Sequence, residues 1–223
     1  RSRPASPSMS SACMSSCPLQ SKSMKIVPVT NSAEAQDLRK LPSIAIDLGF
    51  AEKRASCGLS EHQAGFKFSG AVDACSEWLA CQGASAVVIL EAPLSGSFDK
   101  NGNPCARGRF ETHHSLSGES SARRWQSGPG ASMSLAALYF LRKLSELTAE
   151  VDVTMHLVEG FCSRYGKTKP SDTAVANELL RLWRTGAPLI ETNGFTKLSA
   201  LCILDAGSTK IPPAILCVSD GFC

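Results

Sequence analysis

The sequence predicts an α/β protein whose β-sheet is flanked by helices. Three short strand-like segments follow one another between residues 43 and 68, and helical and strand-like segments alternate after them. The helical segments repeat apolar residues at intervals of three and four, whereas the strand-like segments are short and rich in β-branched residues. The continuous apolar run at residues 86–90 is typical of a strand that is covered on both faces.

The first strand-like segment, residues 43–50, contains an acid at Asp47, where the apolar run ends. A carboxylate at the exposed end of a buried strand is tolerated where a metal ion, a phosphate contact or a cationic partner compensates its charge. Asp47 is therefore the first candidate functional residue. The alternative is that it caps a turn, because Asp before Leu48 and Gly49 is also ordinary strand-exit chemistry.

Two further strand-like segments follow at residues 55–59 and 65–68. A helix is predicted over residues 70–82, because apolar residues recur there at helical spacing. Gly83 stands where a C-terminal cap is expected, so the helix is predicted to end at this point.

Two later strand segments also end on acids. The run at residues 86–90 is followed by Glu91, and Pro93 then fixes the exit direction of the loop. A strand predicted over residues 151–158 is followed by Glu159. Acids are therefore expected at the ends of three buried strands.

The segment between these two strands is divided into a loop and a helix. Residues 95–130 are rich in Gly, Ser and Arg, and a structureless loop of that length is usually functional or disordered. Residues 131–148 form the longest helix candidate, which is broadly apolar and is expected to pack on the sheet.

The C-terminal part is predicted to contain two helices and a strand. Residues 172–184 place apolar side chains on one helical face, with Ser171 or Asp172 as the N-cap. Capping is the alternative to a functional role for Asp172. A further helix is predicted over residues 195–205, and a last short strand over residues 214–218.

The domain organisation follows from composition. Residues 1–40 are rich in Ser and Pro and lack periodicity, which predicts a flexible leader followed by a single domain over residues 41–223. The net charge of +3 does not by itself indicate a nucleic-acid partner. No apolar run reaches the roughly 18 residues that span a bilayer, so no membrane partner is expected.

Ten cysteines, an even number, would suggest a disulfide framework in a secreted protein, but the surroundings of two of them favour a reducing compartment. Cys202 and Cys217 lie within apolar runs, where a free cysteine behaves as a small buried hydrophobe. Neither the cysteines nor His113 and His114 show the paired Cys-x2-Cys spacing of a zinc site. Because no hydrophobic signal region precedes the domain, a cytoplasmic location is expected.

The order of elements, together with a few short motifs, resembles the ribonuclease H-like superfamily over residues 41–218. The motifs are Ile46-Asp47, the Glu91-Ala92-Pro93 turn, Arg107 with Arg109, and Glu159-Gly160. They are most similar to the uncharacterised branch of predicted ribonuclease H-like nucleases. The resemblance implies a mixed five-stranded sheet whose first three strands are antiparallel.

The resemblance also implies a site. In the superfamily the first and fourth strands are neighbours, so Asp47 and Glu91 would lie on adjacent strands as the central metal-bridging pair. Glu159, at the end of the fifth strand, would join them as a catalytic residue or would simply bind a loop. Two-metal hydrolysis of a phosphodiester needs carboxylates around two cations about 4 Å apart, and hard oxygen ligands suit Mg²⁺ or Mn²⁺. A further metal ligand would come from a later element, and the candidates are Asp172, Glu191 and Asp205.

A nucleic-acid-binding surface is predicted within the loop at residues 95–130. It combines guanidinium groups with an indole, and its members are Arg107, Arg109, Arg123, Arg124 and Trp125. Such groups bind phosphates and stack on bases. The alternative is that these are solvated loop charges.

Two alternatives to a nuclease stay open. The first is a ribonuclease H-like module that binds nucleic acid or protein without hydrolysis, because phosphate contacts position nucleic acid without catalysis. The second is a phosphate-binding domain, because residues 44–58 also resemble the first phosphate-binding hairpin of the actin and sugar-kinase group. Those ATPases need two such domains, whereas the length of this chain offers one.

Overall fold

The computed structural model describes most of the chain between residues 24 and 218. The described ranges are 24–51, 53–98, 101, 103–114, 120–122, 129–162, 170–192, 201–202 and 213–218. Helices α1 to α4 span Ser32–Leu38, Phe68–Ala80, Pro129–Leu147 and Asp172–Arg184, and a short 3-10 helix spans Arg109–Glu111.

The strands are named β1 to β11 in chain order. The first four are Lys25–Pro28, Ser43–Asp47, Gly58–Leu59 and Ser85–Glu91. The next four are Ser95–Phe98, Pro104–Cys105, Thr112–His114 and Ser120–Ala122. The last three are Thr154–Cys162, Leu201–Cys202 and Ile215–Val218.

The main sheet has the order β1-β9-β4-β2-β3, and β11 also pairs with β9. Strand β2 pairs antiparallel with β3, while the pairs β2–β4, β4–β9, β1–β9 and β11–β9 are parallel. Both β1 and β11 lie along the edge of β9 that faces away from β4. Strand β1 pairs with residues 154–157 of β9 and β11 with residues 159–162.

Helices cover both faces of this sheet. Alternate residues of a strand point to opposite faces, which separates two apolar clusters. Ile46 and Leu90 belong to the cluster that includes α2 and α3, whereas Ala45 and Ile89 belong to the cluster that includes α1 and α4. The three layers are therefore α2 and α3, the sheet, and α1 and α4.

Helix α4 has the bounds that the sequence predicts, Asp172–Arg184. The Ser171 side chain accepts a hydrogen bond from the Ala174 N–H at 3.1 Å, which satisfies a donor that the first turn leaves unpaired. Arg181 and Arg184 lie in the last turn, where positive charge stabilises the helix dipole. Local signals at both ends therefore agree with the amphipathic pattern between them.

The predicted α/β class with a mixed sheet is confirmed, but details of the sheet differ. In the described residues the main sheet has six strands and one antiparallel pair, not five strands of which three are antiparallel. The segment predicted as the third strand contributes an isolated bridge between Cys57 and Phe66. Helix α2 begins at Phe68 and leaves no room for a longer strand.

The predicted leader differs from the structure as well. Strand β1 and helix α1 both lie within residues 1–40 and belong to the folded part, and Val29 between them is fully buried. The composition of this segment obscured a strand of four residues that ends on Pro28. The folded part thus includes residues 24–40, and residues 1–23 lie outside the described residues.

Two predictions for the later segments are corrected. The predicted loop at residues 95–130 contains strands β5 to β8 and the 3-10 helix. The predicted helix at residues 195–205 is wrong at Leu201 and Cys202, which form β10 and pair antiparallel with β5. In the described part of the chain, no helix is long and apolar enough to cross a membrane.

Candidate functional site

Asp47 and Glu91 lie side by side at the carboxyl ends of two neighbouring parallel strands. Asp47 is the last residue of β2, Glu91 is the last residue of β4, and their Cα atoms are partners in the ladder. Neighbouring strands are about 4.8 Å apart and paired residues share a face, so both side chains start from the same face of the sheet. The prediction that these acids lie on adjacent strands is confirmed.

The Glu91 carboxylate lies beneath α4, near the end of β9. Its Oε1 accepts a hydrogen bond from the Cys162 N–H at 3.3 Å, and the side chain is 6% exposed. The ladder partner of Glu91 in β9 is Gly160. Gly160 has no side chain, and Leu179 of α4 packs closely against it: a Cβ at this position would come within 2.8 Å of Leu179 Cδ1.

Asp172 approaches the same region through the first turn of α4. Gly58 of β3 is the ladder partner of Asp47, and a Cβ at Gly58 would overlap with backbone atoms of Asp172 and Thr173. The backbone of Asp172 therefore lies directly against the hairpin that carries Asp47. Only a glycine at position 58 permits this approach.

The charges of Asp47 and Asp172 both affect the pKa of the Cys57 thiol. Burial raises the pKa of Cys57, a hydrogen bond with Gly49 lowers it, and the charges of Asp47 and Asp172 raise it further. The Cys57 Sγ donates to the Gly49 carbonyl oxygen at 2.8 Å, which fixes the thiol under the loop that follows β2. Both aspartates thus lie within electrostatic range of one buried thiol.

Glu159 lies on the other face of the sheet. Its ladder partner is Leu90, which belongs to the cluster with α2 and α3, whereas Glu91 is paired with Gly160. Strand β9 continues to Cys162, so Glu159 is inside the strand and not at its end. The structure therefore does not bring Glu159 together with Asp47 and Glu91.

Glu159 is instead part of a buried ion cluster with Arg107 and Glu111. Nη1 of Arg107 lies 2.6 Å from Oε1 of Glu159, and Nε lies 2.6 Å from Oε1 of Glu111. Ser95 Oγ accepts a hydrogen bond from the same Nη1 at 2.7 Å, and Oε2 of Glu159 accepts one from the Leu94 N–H at 3.0 Å. The three charged side chains are fully buried, so this cluster fastens the segment after β4 to the sheet.

Two carboxylates compete for one guanidinium in this cluster. Burial raises the pKa of Glu159 to about 7, although Arg107 and the Leu94 N–H lower it. The pKa of Arg107 is raised, because its two carboxylates outweigh the opposing effect of burial. Arg107 thus stays charged, and Glu159 takes up a proton near neutral pH.

The predicted nucleic-acid-binding residues are only partly placed. Arg107 is 3% exposed and lies inside the protein, where it has no surface for a phosphate. The backbone of Arg109 lies in the 3-10 helix. Arg123, Arg124 and Trp125 lie outside the described residues.

Of the other two candidate acids, the structure describes Glu191 alone. Glu191 is exposed, and its Oε1 accepts a hydrogen bond from the Ser32 N–H at the start of α1, at 3.2 Å. Asp205 lies outside the described residues. In the described ranges, no group of three or more His, Cys, Asp or Glu side chains is arranged to hold a metal ion.

The sequence analysis missed an apolar cleft of about 390 Å³ near the end of β2. We call it the aromatic cleft, and its lining residues are Phe50, Phe68, Ser132, Leu135, Ala136 and Tyr139. One signal was available in the sequence: apolar residues surround the whole of α3, more than one buried face requires. Leu135, Tyr139 and Leu147 are the large exposed members of that excess, and the first two line the cleft.

No family model, curated protein or solved structure matches this chain.

Proposed function

We propose that this protein is a nuclease that hydrolyses phosphodiester bonds with Mg²⁺ or Mn²⁺, as the resemblance to ribonuclease H-like nucleases implies. The observation that carries the proposal is the direct pairing of Asp47 with Glu91 at the carboxyl ends of adjacent parallel strands. Ligands in open α/β sheets bind outside the carboxyl ends of the strands, which is where this pair lies.

The donor atoms at this edge fit a hard divalent cation. Asp47 and Glu91 supply carboxylate oxygens, and the first turn of α4 brings Asp172 to the same hairpin. Mg²⁺ is commonly held by one or two carboxylates together with water and substrate phosphates, and an all-protein cage is not required. A pair of acids in the described residues is therefore compatible with a cation that the substrate helps to bind.

Each residue has a separate role in this proposal. Asp47 and Glu91 hold and orient the cation, and Asp172 adds negative charge from the side of α4. Bound divalent ions would supply an activated water and stabilise the leaving oxygen. Glu159 is assigned a structural role, because its buried pairing with Arg107 fastens the segment that follows Glu91.

Cleavage of labelled single-stranded and duplex DNA and RNA tests the proposal. The full chain is expected to cleave at least one substrate with Mg²⁺ or Mn²⁺ and to stop when the metal is chelated. Asp47→Asn is expected to lower the rate about a hundredfold or more, because metal-ion catalysis supplies several kcal/mol and each 1.4 kcal/mol is tenfold. Asp73→Asn, on the exposed surface of α2, is the matched control and should cleave at the parent rate.

A non-catalytic binding module is the second candidate. It is favoured by the finding that the described residues contain no three-residue metal group. Such a module would bind nucleic acid and would not cleave it, whichever divalent metal ion is added. Unchanged cleavage by Asp47→Asn would contradict the nuclease proposal, and binding without cleavage by the parent protein would favour the module.

A further inference from the structure

Packed aromatic rings form part of the wall of the aromatic cleft. Phe68 stacks on Tyr139 with ring centroids 5.9 Å apart and an interplanar angle of 24°. It also meets the fully buried Phe140 edge to face, at 6.0 Å. Phe50 and Tyr139 remain 52% exposed, so two aromatic rings of the cleft are available to a ligand.

Three cationic residues are close in sequence to Phe50 and Phe68 of the cleft, and one acid, Glu52, stands among them. Lys53 and Arg54 follow Phe50 in the chain, and Lys67 directly precedes Phe68. All three side chains are exposed, and in the described ranges no hydrogen bond or ion pair engages them. Exposed aromatic rings beside free cations are the combination that binds single-stranded nucleic acid, because rings stack on bases and cations contact phosphates.

The cleft is close to the paired acids. Phe50 is three residues after Asp47, and an extended chain spans at most about 3.6 Å per residue, so their Cα atoms are within about 11 Å. The paired acids and the cleft both lie at the carboxyl end of β2. The acids are on the α4 side of the sheet and the cleft is on the α3 side. A strand that crosses this end of the sheet would meet both.

We propose that the aromatic cleft binds an unpaired base of a single-stranded nucleic acid, with Lys53, Arg54 and Lys67 on the neighbouring phosphates. This inference deepens the proposed nuclease function by naming the form of its substrate, and it rests on that function. A base inside a duplex does not expose its face, so the cleft selects unpaired strands. These three exposed cations, which no hydrogen bond or ion pair engages within the described ranges, favour a polyanion over an apolar peptide as the occupant.

Binding is measured on the full chain in EDTA, so that cleavage cannot interfere. The probes are a fluorescein-labelled 15-nucleotide single strand, its duplex, and an abasic strand of the same length. The single strand is expected to bind more tightly than the duplex or the abasic strand. Phe50→Ala and Tyr139→Ala should each weaken its binding about 5- to 150-fold, since stacking is worth about 1–3 kcal/mol per base.

Two matched variants separate stacking from general damage. Tyr139→Phe keeps the ring and should bind like the parent, while Leu147→Ala removes an exposed apolar side chain of α3 outside the cleft and should have no effect. Changing Lys53 to Gln should make the dependence of log K on log salt shallower by about 0.7. Thermal unfolding of every variant identifies any that fails to fold.

Equal affinity for the normal and abasic strands would overturn the inference, as would unchanged binding by both alanine variants. Binding of an apolar peptide in place of the oligonucleotide would also overturn it. The nuclease proposal fails separately, when Asp47→Asn cleaves at the parent rate with metal present. If the parent protein shows no dependence on the bases but its cleavage still depends on Asp47, the proposal for the cleft is refuted and the nuclease proposal is not.

Discussion

Raising the pH from 5 to 8 is expected to destabilise the protein through Glu159. The pKa of this buried carboxyl is raised to about 7 by burial, against an ordinary value of 4.5 in the unfolded chain. Between these two values the folded state binds a proton that the unfolded state has lost. The contribution of Glu159 to stability is therefore largest below pH 4.5, falls as the pH rises through 7, and is nearly gone by about pH 8.

The magnitude follows from the size of the pKa difference. One pKa unit corresponds to about 1.4 kcal/mol, so the full change in the free energy of unfolding from this group is about 3 kcal/mol, most of it between pH 5 and 7. The direction is unusual for a paired carboxylate. It arises because Arg107 is shared with Glu111, so the ion pair does not offset the burial of Glu159.

Urea unfolding at several pH values, followed by the fluorescence of the buried Trp183, measures the effect. His156 works in the opposite direction, because burial lowers its pKa and stability gained from it rises with pH. The difference between the parent and Glu159→Gln removes the His156 contribution. Glu77→Gln, an exposed carboxylate of α2, serves as the matched control.

The free energy of unfolding of the parent minus that of Glu159→Gln is expected to fall by about 2–3 kcal/mol from pH 5 to pH 8. The same difference taken with Glu77→Gln should stay level. A level difference for Glu159 would mean that its carboxyl stays ionised in the folded state. That result would mean that Arg107 offsets the effect of burial on the pKa, and it would refute the argument from burial.

Three other substitutions or truncations test separate parts of the fold. Arg107→Ala should lower the free energy of unfolding by about 3–5 kcal/mol in urea titrations, because it leaves buried carboxylates without their cation. Gly58→Ala should cost about 1–3 kcal/mol and reduce metal-dependent cleavage, because its Cβ displaces the first turn of α4. Gly83→Ala is its control, since a Cβ there meets nothing within 4 Å. Deleting residues 1–30 should lower the melting temperature below that of a chain lacking residues 1–23, since only the longer deletion removes β1. Equal melting temperatures would show that β1 adds no stability.

The sequence predicted the long elements better than the short ones. Helix α4 was placed at its observed bounds, because its apolar stripe, its N-cap and its C-terminal arginines agree. Strand β1 was missed because four residues ending on Pro28 carry too short a pattern to separate from the preceding Ser-rich segment. Its stability comes from pairing with β9, which no local signal reveals.

The candidate site was predicted in part for a similar reason. An apolar run that ends on an acid indicates the end of a strand, and this pattern placed Asp47 and Glu91 at strand ends. That the two strands are neighbours was implied by the resemblance, and the ladder pairs the two residues. The same pattern misplaced Glu159, because β9 continues through Gly160 and Phe161 to Cys162. Which face an acid occupies depends on register, and register is set by the partner strand.

The edge of β9 is completed by two segments that are far apart in sequence. Strand β1 protects its first half and β11 its second half, and the Ala214 N–H donates a hydrogen bond to the Val29 carbonyl oxygen at 2.7 Å where the two meet. An unpaired edge is a template for aggregation. During synthesis β9 is made well before β11, so half of this edge stays open until the later segment arrives. Pairings between such distant segments also slow folding, which makes this strand the point where a nascent chain is most vulnerable to misassembly.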